Sequence, residues 1–335
     1  MKNLLYIGNK LSKHGVTPTT IETLGPLLEQ EGFNIQYSSC QKNQGLRLIA
    51  MLWSVIQYRK SDYVLIDTYS TTNFWYAFAI SQLCRLLGIK YIPILHGGNL
   101  SFRLSQHPKI SGMIFKNSFH NVAPSLFLIN EFKAEGYDNV VHIPNAIELD
   151  KYPFLERKKA VPNLLWVRSF AKIYNPIMAV EVLACLKKKY PKASLCMVGP
   201  DKDGSLLESK QRANNLNVEV VFSGKLSKQD WINISKNYSI FINTTHFDNM
   251  PVSVIEAMSL GLAVVSTNVG GIPFLLENEN DSLLVPDNDV DKMVESIVRL
   301  IEESDLFNKI TSTARKKTKQ FEWQEVKLKW LTILQ

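Results

Sequence analysis

The chain has 335 residues, which is long for one hydrophobic core and suits two domains of ordinary size. Hydrophobic residues make up 45% and charged residues 21%, which excludes a disordered chain, and no segment reaches the roughly 18–20 uninterrupted apolar residues of a bilayer crossing. The formal net charge is +7.

The N-terminal segment and the cysteines indicate the compartment. The segment MKNLLYIGNKLSKHG has too short an apolar run for a secretory signal, and it predicts a first strand. The four cysteines have no metal-ligand spacing, and two of them lie in apolar runs. We therefore expect a cytoplasmic protein with reduced thiols and no metal site.

Strand-like and helix-like segments alternate along the whole chain. Short β-branched runs are separated by longer segments, such as TTIETLGPLLEQEG and PIMAVEVLACLKKKYP, whose apolar residues recur at helical spacing. The strand-like runs are LLYIG at 4, NIQY at 34, YVLID at 63, YIPILHG at 91, VVHIPN at 140, LLWVR at 164, SLCMVG at 194, VEVVFSG at 218, SIFINT at 239, LAVVST at 262 and SLLVP at 282. This alternation predicts an α/β protein with two doubly wound parallel sheets.

The two series of strands are separated by a polar segment that contains two prolines, LDKYPFLERKKAVPN. It places a first domain at residues 1–155 and a second domain at residues 156–318. The remaining residues, 319–335, contain the segment FEWQEVKLKWLTIL, which predicts an amphipathic helix.

Two loops of the first domain follow strands, where open parallel sheets bind their ligands. Gly15 follows the first strand and precedes a Thr-rich helix start, and His96 follows the strand YIPIL and precedes two glycines. A plain turn before a capped helix also accounts for Gly15. A histidine bonded to a backbone carbonyl group also accounts for His96.

Basic residues are concentrated in the first domain. Residues 32–130 hold nine Lys or Arg and only two acids, Asp62 and Asp67. This excess suits an anionic partner, and an anionic membrane surface or a phosphate-bearing lipid carrier fits better than nucleic acid, because no basic run is interleaved with exposed aromatic residues. A general contribution to solubility is the alternative.

The segment LRLIAMLWSVIQYRK, residues 46–60, predicts an apolar helix inside this basic region. One interpretation is shallow insertion into a membrane beside the charges. The other is a helix buried in the core, which we favour because apolar residues lie on nearly every face. Trp53 distinguishes the two, because its environment differs between them.

A pair of cationic residues opens the second domain. Arg168 and Lys172 lie in the segment LLWVRSFAKIYNP, at and just after the end of its first strand. Arginine can chelate phosphate oxygens with two N–H donors, and lysine supplies a point charge. The pair therefore suits a developing phosphate leaving group.

The segment HFDNMPVSVIEAMSLGLAVVSTNVGGIP, residues 246–273, places two carboxylates around the start of a helix. Asp248 lies in the loop before the helix, which is predicted at residues 252–260 because Pro251 fixes φ at its start and Gly261 ends it. Glu256 lies about a turn and a half inside this helix.

The N-terminal turn of the same helix is a candidate anion site. The backbone N–H groups of Ser253, Val254 and Ile255 are expected to lack a helical acceptor, and the helix dipole favours an anion there. With the preceding loop residues Asn249 and Met250, this layout suits a nucleotide-sugar. The alternative is a capped amphipathic helix on which Glu256 is solvated.

The whole segment, with EAM, VVST and the diglycine Gly270-Gly271, resembles the acidic-x7-acidic motif of the retaining glycosyltransferases of family 4, the glycosyl transferases of group 1. The resemblance implies the GT-B fold, in which two Rossmann-like, doubly wound parallel-sheet domains face a cleft. It also implies that the first domain binds the acceptor, that the second binds the nucleotide-sugar, and that the last helix returns to the first domain.

The resemblance also implies roles for individual residues. By position, Asp248 contacts hydroxyls of the donor sugar, and Glu256 holds the ribose of the nucleotide. Arg168 and Lys172 neutralise the diphosphate.

Two residues of the first domain take roles from the same resemblance. Gly15 belongs to a loop over the donor phosphates, and His96 bonds the region of the donor sugar.

The implied activity is a retaining, metal-independent hexosyl transfer from a UDP or GDP sugar to a hydroxyl of a glycan or lipid-linked acceptor. It needs no cofactor, and it implies a role in polysaccharide or glycolipid biosynthesis at the inner face of the cytoplasmic membrane. Another GT-B activity, such as that of a nucleotide-sugar epimerase or a phosphorylase, and a noncatalytic sugar-nucleotide-binding protein are the alternatives. The absence of GxGxxG after any strand argues against a Rossmann dehydrogenase.

Overall fold

The protein is represented by a computed structural model that describes residues 2–14, 18–97 and 99–335. The chain forms two compact units. Unit 1 contains Met1–Ala146 and Trp323–Gln335, and unit 2 contains Ile147–Glu322.

Unit 1 is built on a six-stranded parallel sheet. Its strands are β1 Asn3–Ile7, β2 Asn34–Ser38, β3 Tyr63–Thr68, β4 Tyr91–Leu95, β5 Asn121–Ala123 and β6 Val140–His142. They lie in the order β2-β1-β3-β4-β5-β6, and the central strands are buried almost completely, as expected for a sheet with helices on both faces. The helices of its first segment are α1 Thr20–Gln30, α2 Gln44–Gln57, α3 Thr72–Leu86, α4 Leu100–Gln106, α5 Pro108–Phe115 and α6 Leu126–Ala134.

Unit 2 contains a second six-stranded parallel sheet. Its strands are β7 Asn163–Val167, β8 Ser194–Val198, β9 Val221–Gly224, β10 Ile240–Asn243, β11 Ala263–Thr267 and β12 Leu283–Val285. They lie in the order β12-β11-β10-β7-β8-β9. The helices are α7 Pro176–Lys189, α8 Ser205–Asn215, α9 Lys228–Ser235, α10 Val252–Ser259, α11 Ile272–Leu275, α12 Val290–Glu302 and α13 Ser304–Thr318. The prediction of two parallel α/β sheets is confirmed.

The sequence predicts every one of these strands except β5. This strand has three residues, too few for a periodic pattern to be recognised. It pairs with β4 only through Ile94 and Val122, and with β6 over its whole length.

The division between the units precedes the boundary expected near residue 155. Ile147, Leu149 and Tyr152 are buried in the apolar core of unit 2, together with Phe321. The N–H group of Ile147 donates to the carbonyl oxygen of Phe321 over 2.8 Å. The polar residues that suggested a boundary are an exposed stretch of unit 2 rather than a linker between units.

The last helix, α14 Trp323–Leu334, completes unit 1. Trp323, Val326, Trp330 and Leu334 are buried in a core that they share with α1 and the sheet. The indole Nε1 of Trp323 also donates to Glu31 Oε1 over 3.1 Å. Unit 1 is therefore assembled from two segments of chain that are distant in sequence.

Helix α2 corresponds to the apolar helix predicted at residues 46–60, but its burial differs from the expectation. Only Arg47, Met51 and Val55 are buried, and the opposite face is exposed, including Trp53 at 63%. The prediction of a buried helix is wrong, because the neighbouring β1, β2 and α3 cover one side of α2 only. No described helix has both the length and the apolar content needed to cross a membrane.

Each sheet has one point at which the strand order reverses. In unit 1 it lies between β1 and β3, and in unit 2 it lies between β7 and β10. Loops after adjacent strands diverge there and leave a crevice, which is where doubly wound sheets bind ligands. In unit 2, Arg168 follows β7 and Asp248 lies in the loop after β10, so both lie at this reversal point.

Candidate functional site

The central feature of the site in unit 2 is an ion pair between Arg168 and Asp248. Arg168 directly follows β7, and Asp248 lies in the loop after β10, so the two meet where the strand order reverses. Their side chains are only 15% and 14% exposed. A guanidinium group beside a carboxylate, both mostly shielded from solvent, therefore lies at the position expected for a ligand site.

Hydrogen bonds tie together the two loops that carry this pair. Trp166 Nε1 donates to Thr244 Oγ1 over 3.1 Å, and this oxygen lies 2.9 and 2.8 Å from the carbonyl oxygens of Tyr174 and Asn175. The N–H group of His246 donates to the carbonyl oxygen of Ile173 over 2.8 Å. The positions of Arg168 and Asp248 are thus set by the backbone of both loops.

Tyr174 lies against Arg168. The guanidinium carbon is 4.1 Å from the centroid of the phenol ring, a cation–π geometry. The positive charge of Arg168 lowers the pKa of Tyr174 from its ordinary value, although burial acts in the opposite direction. Arg168 Nε is buried and has no hydrogen-bond partner among the described residues, so the guanidinium group keeps a donor for an anion.

The diglycine supports the loop that carries Asp248. The N–H group of Gly271 donates to the carbonyl oxygen of Asp248 over 2.8 Å. A Cβ atom on Gly271 would overlap the carbonyl oxygen of Asn249, and Gly270 has a φ of +53°, in the left-handed region. Both glycines are required because the two backbones approach closely.

Glu256 is buried inside α10, with 3% exposure. The hydroxyl group of Tyr152 donates to its Oε1 over 2.7 Å, and the ammonium group of Lys228 forms an ion pair with the same oxygen. The alternative of a solvated Glu256 is therefore wrong. The carboxylate is held by two partners and is not a surface charge.

The N-terminal turn of α10 differs from the expectation. The N–H groups of Val254 and Ile255 both donate to the carbonyl oxygen of Pro251, over 3.1 and 3.4 Å, so the prediction that they are free is wrong. Pro251 is the N-cap residue, and its carbonyl group begins the helical ladder. The side-chain hydroxyl oxygen of Ser253, at the start of the same helix, is buried and has no hydrogen-bond partner among the described residues.

The other candidates of unit 2 occupy different surroundings. The backbone N–H group of Asn249 donates to Asp248 Oδ1 over 2.8 Å, whereas Met250 packs into the apolar core. The Lys172 side chain is 71% exposed, and its ammonium group lies 3.5 Å from Glu208 Oε1. The structure thus groups Asn249 with the Arg168–Asp248 pair and directs Lys172 towards α8.

In unit 1, His96 is part of a buried polar cluster at the ends of β1, β3 and β4. His96 Nε2 lies 2.9 Å from Asp67 Oδ1, which also accepts the Tyr6 hydroxyl group over 3.1 Å. The ring of Tyr69 stacks on His96 at 4.8 Å. The Nε2 atom of His96 therefore contacts a carboxylate group and not the backbone carbonyl group of the alternative. Gly15 lies outside the described residues.

Three residues that contact the site are not indicated by any sequence pattern. Tyr152 and Lys228 hold Glu256, and Tyr174 lies against Arg168. Tyr152 and Glu256 are 104 positions apart, so no local spacing joins them. Tyr174 follows Arg168 within the same loop, and an aromatic residue there is the one available signal. Among the described residues, no three His, Cys, Asp or Glu side chains are grouped so as to hold a metal ion.

Comparison with known proteins identifies the family. Residues 151–317 match the family described as glycosyl transferases group 1. Over 192 residues the chain is 25% identical to the UDP-Gal:alpha-D-GlcNAc-diphosphoundecaprenol alpha-1,3-galactosyltransferase of Escherichia coli, an alignment that covers 52% of this chain and 48% of that protein. The chain spans about half the length of the curated relatives it matches.

Solved structures match over nearly the whole chain. Sucrose-phosphate synthase from Thermosynechococcus elongatus has a TM-score of 0.83 at 14% identity, with 99% of this chain and 98% of that chain covered. Anabaena HepE in complex with UDP and glucose has a TM-score of 0.82 at 15% identity, with 100% and 99% covered. At these identities the match concerns the fold, and the predicted GT-B fold is confirmed. With its family match over residues 151–317, the chain belongs to the glycosyl transferases of group 1.

Proposed function

We propose that this protein transfers a sugar from a nucleoside-diphosphate sugar to an acceptor hydroxyl group, with retention of anomeric configuration. The observation that carries the proposal is the mostly solvent-shielded Arg168–Asp248 ion pair at the reversal point of the second sheet, in the same unit as the buried Glu256. A cation for phosphate and two carboxylates for hydroxyl groups are the groups that a nucleotide-sugar requires.

The donor is of UDP or GDP type in this proposal. Support for a uridine nucleotide comes from the complex of HepE with UDP and glucose, and from the UDP-Gal named for the Escherichia coli relative. Asp248 would contact hydroxyl groups of the sugar, and Glu256, held by Tyr152 and Lys228, would accept hydrogen bonds from the ribose. Ser253 contributes a hydroxyl group at the start of α10.

The reaction breaks the bond between the anomeric carbon and the phosphate oxygen and forms a bond from that carbon to the acceptor oxygen on the same face. The acceptor proton moves to the departing phosphate. Negative charge grows on the diphosphate, and Arg168, whose Nε–H group has no partner among the described residues, stabilises it. Lys172 joins this role if its ammonium group leaves Glu208 for the diphosphate. No metal ion is required in this scheme.

The acceptor and the location rest on a relative and on the charge of unit 1. The name of the Escherichia coli relative includes a lipid-linked acceptor, diphosphoundecaprenol. We propose a glycan or lipid-linked acceptor, a role in cell-surface polysaccharide or glycolipid synthesis, and a cytoplasmic protein peripheral to an anionic membrane. The basic excess of residues 32–130, all in unit 1, supports the membrane partner.

The decisive experiment has two steps. A panel of UDP and GDP sugars is first screened by thermal shift, since a ligand that binds only the folded protein raises its stability. The stabilising donor is then incubated with candidate acceptors, and the anomeric configuration of the product is read by NMR.

Each alternative has its own outcome. An inverted product would contradict retention, and conversion of donor without acceptor would indicate an epimerase. Sugar transfer to inorganic phosphate would indicate a phosphorylase. Tight binding of the donor without any turnover would indicate a noncatalytic protein.

A further inference from the structure

The outer face of α2 is apolar and exposed. Leu46, Ile49, Trp53 and Ile56 are 57%, 63%, 63% and 45% exposed. Their spacing of three or four positions places all of them on one side of the helix, opposite to the buried Arg47, Met51 and Val55. The inner face already anchors α2 to unit 1, so the outer face is not needed for the core.

Both ends of this face are positively charged. Lys42 precedes α2, and Arg59 and Lys60 follow it, all three exposed. No acidic residue occurs between Glu31 and Asp62. An apolar face with cations at both ends complements a surface with an apolar interior and anionic groups at its boundary.

A second copy of the chain is the alternative partner that could cover this face of α2. Two α2 helices packed antiparallel across a twofold axis would place Lys42 of one copy beside Arg59 and Lys60 of the other. Parallel packing would place identical cations together. Either arrangement brings like charges into contact, which is unfavourable. The charges therefore favour a lipid surface.

We propose that α2 docks onto an anionic bilayer, with Leu46, Ile49, Trp53 and Ile56 at the boundary between headgroups and acyl chains and with Lys42, Arg59 and Lys60 among the headgroups. The inference rests on the proposed membrane partner and assigns it to one helix. With 14 residues, α2 lies in the interface and does not cross the membrane.

The test measures co-sedimentation of the full chain with phosphatidylcholine vesicles that contain about 30% phosphatidylglycerol or none. Wild type should bind the anionic vesicles, and binding should fall as added salt shortens the Debye length below about 10 Å. Ile49→Glu should weaken binding by about tenfold or more, since it places a charge on the apolar face. Lys60→Gln should weaken it by roughly fivefold.

The matched control is Leu207→Glu, on α8 of unit 2, where the side chain is 61% exposed. It introduces the same charge at the same exposure and should bind as wild type. Thermal unfolding verifies that each variant folds. Vesicles with brominated acyl chains should quench wild-type fluorescence more than that of Trp53→Phe.

Several results would overturn the inference: equal binding to neutral and anionic vesicles, full binding by Ile49→Glu, or an equal loss in Leu207→Glu. A wild-type dimer that Ile49→Glu converts to monomer, without vesicle binding, would assign the face to a second copy. Sugar transfer is measured in the same preparations. Vesicle binding without transfer rejects the proposed function alone, and transfer without vesicle binding rejects this inference alone.

Discussion

Arg168 is surrounded by groups that fix its position and leave its charge available. Asp248 neutralises one side, the Tyr174 ring covers another, and the buried Nε–H has no partner in the described part of the chain. A lysine could not reproduce this arrangement, because it has neither the planar group that lies on an aromatic ring nor a fork of donors. Arginine at this position is therefore a specific requirement.

Arg168→Ala should act mainly on turnover. The charge on the departing diphosphate grows in the transition state, and loss of one group that meets such charge costs about a hundredfold in kcat. Steady-state kinetics with saturating donor measure the effect. Arg212→Ala is the control, because Arg212 forms a partly exposed ion pair with Glu181 on neighbouring helices. An Arg168→Ala enzyme that folds and keeps most of its kcat would remove Arg168 from the reaction.

Glu256→Gln should act mainly on binding of the donor. In the proposed site the ribose would be bound equally in the ground and transition states, so we expect the donor KM to rise more than kcat falls. Titration calorimetry with the free nucleotide measures the same loss without turnover. Glu295→Gln, an exposed change on α12, should leave both quantities unaltered. An unchanged nucleotide affinity in Glu256→Gln would contradict the ribose role.

At the scale of elements, the loop after β10 depends on its contact with the diglycine. Gly271 has a φ of −83°, which any residue can adopt, so a side chain there is opposed by the nearby backbone of Asn249 and not by its own φ. The contact couples the position of Asp248 to the turn between β11 and α11. A change at Gly271 thus tests the loop without altering a charged group.

Gly271→Ala should displace the loop that carries Asp248. We expect kcat/KM to fall at least about tenfold, because misplacement of a site by about 1 Å has effects of that size, and stability to fall by about 1–3 kcal/mol from overpacking. Gly112→Ala is the control, since Gly112 lies in α5 with nothing within 4 Å of an added Cβ atom. Equal kcat/KM in wild type and Gly271→Ala would show that the loop tolerates the shift.

The sequence predicts elements well where periodicity and local motifs suffice. The strands that bracket Arg168 and Asp248 are apolar runs with clear ends, and α10 is marked by Pro251 and Gly261. Local patterns do not predict contacts between segments that are distant in sequence, and the hydrogen bond from Tyr152 to Glu256 is an example. The hydrogen bonds of the Val254 and Ile255 N–H groups were also not predicted, because they depend on the residue at which the helical hydrogen bonds begin. Exposure of α2 depends on neighbours that its own apolar residues do not specify.

The stability of the protein depends on pH through two histidines of unit 1 that favour the neutral state. Burial lowers the pKa of His142, with a smaller contribution from Lys329, and burial alone lowers that of His120. An unfolded histidine titrates near pH 6.5. Below that pH the unfolded chain therefore binds more protons than the folded one, and stability falls with pH.

Thermal unfolding between pH 7.5 and pH 5.5 should accordingly show a decreasing Tm. The decrease should be smaller in His142→Gln, because one of the protons that favour the unfolded chain is removed. Changes of titrating groups elsewhere are common to both proteins and cancel in the comparison. The same pH dependence in wild type and variant would mean that His142 does not contribute.

Unit 1 is assembled from two segments that are distant in sequence, and this has a consequence for its synthesis on the ribosome. Its core lacks Trp323, Val326, Trp330 and Leu334 until these residues have been made, although Met1–Ala146 is made first. At about 5–20 residues per second, translation of residues 147–335 takes on the order of ten to forty seconds. Unit 2 is a continuous segment and can fold within that time. The nascent N-terminal sheet meanwhile exposes the apolar surface that α14 later covers, so chaperones would bind it in this interval.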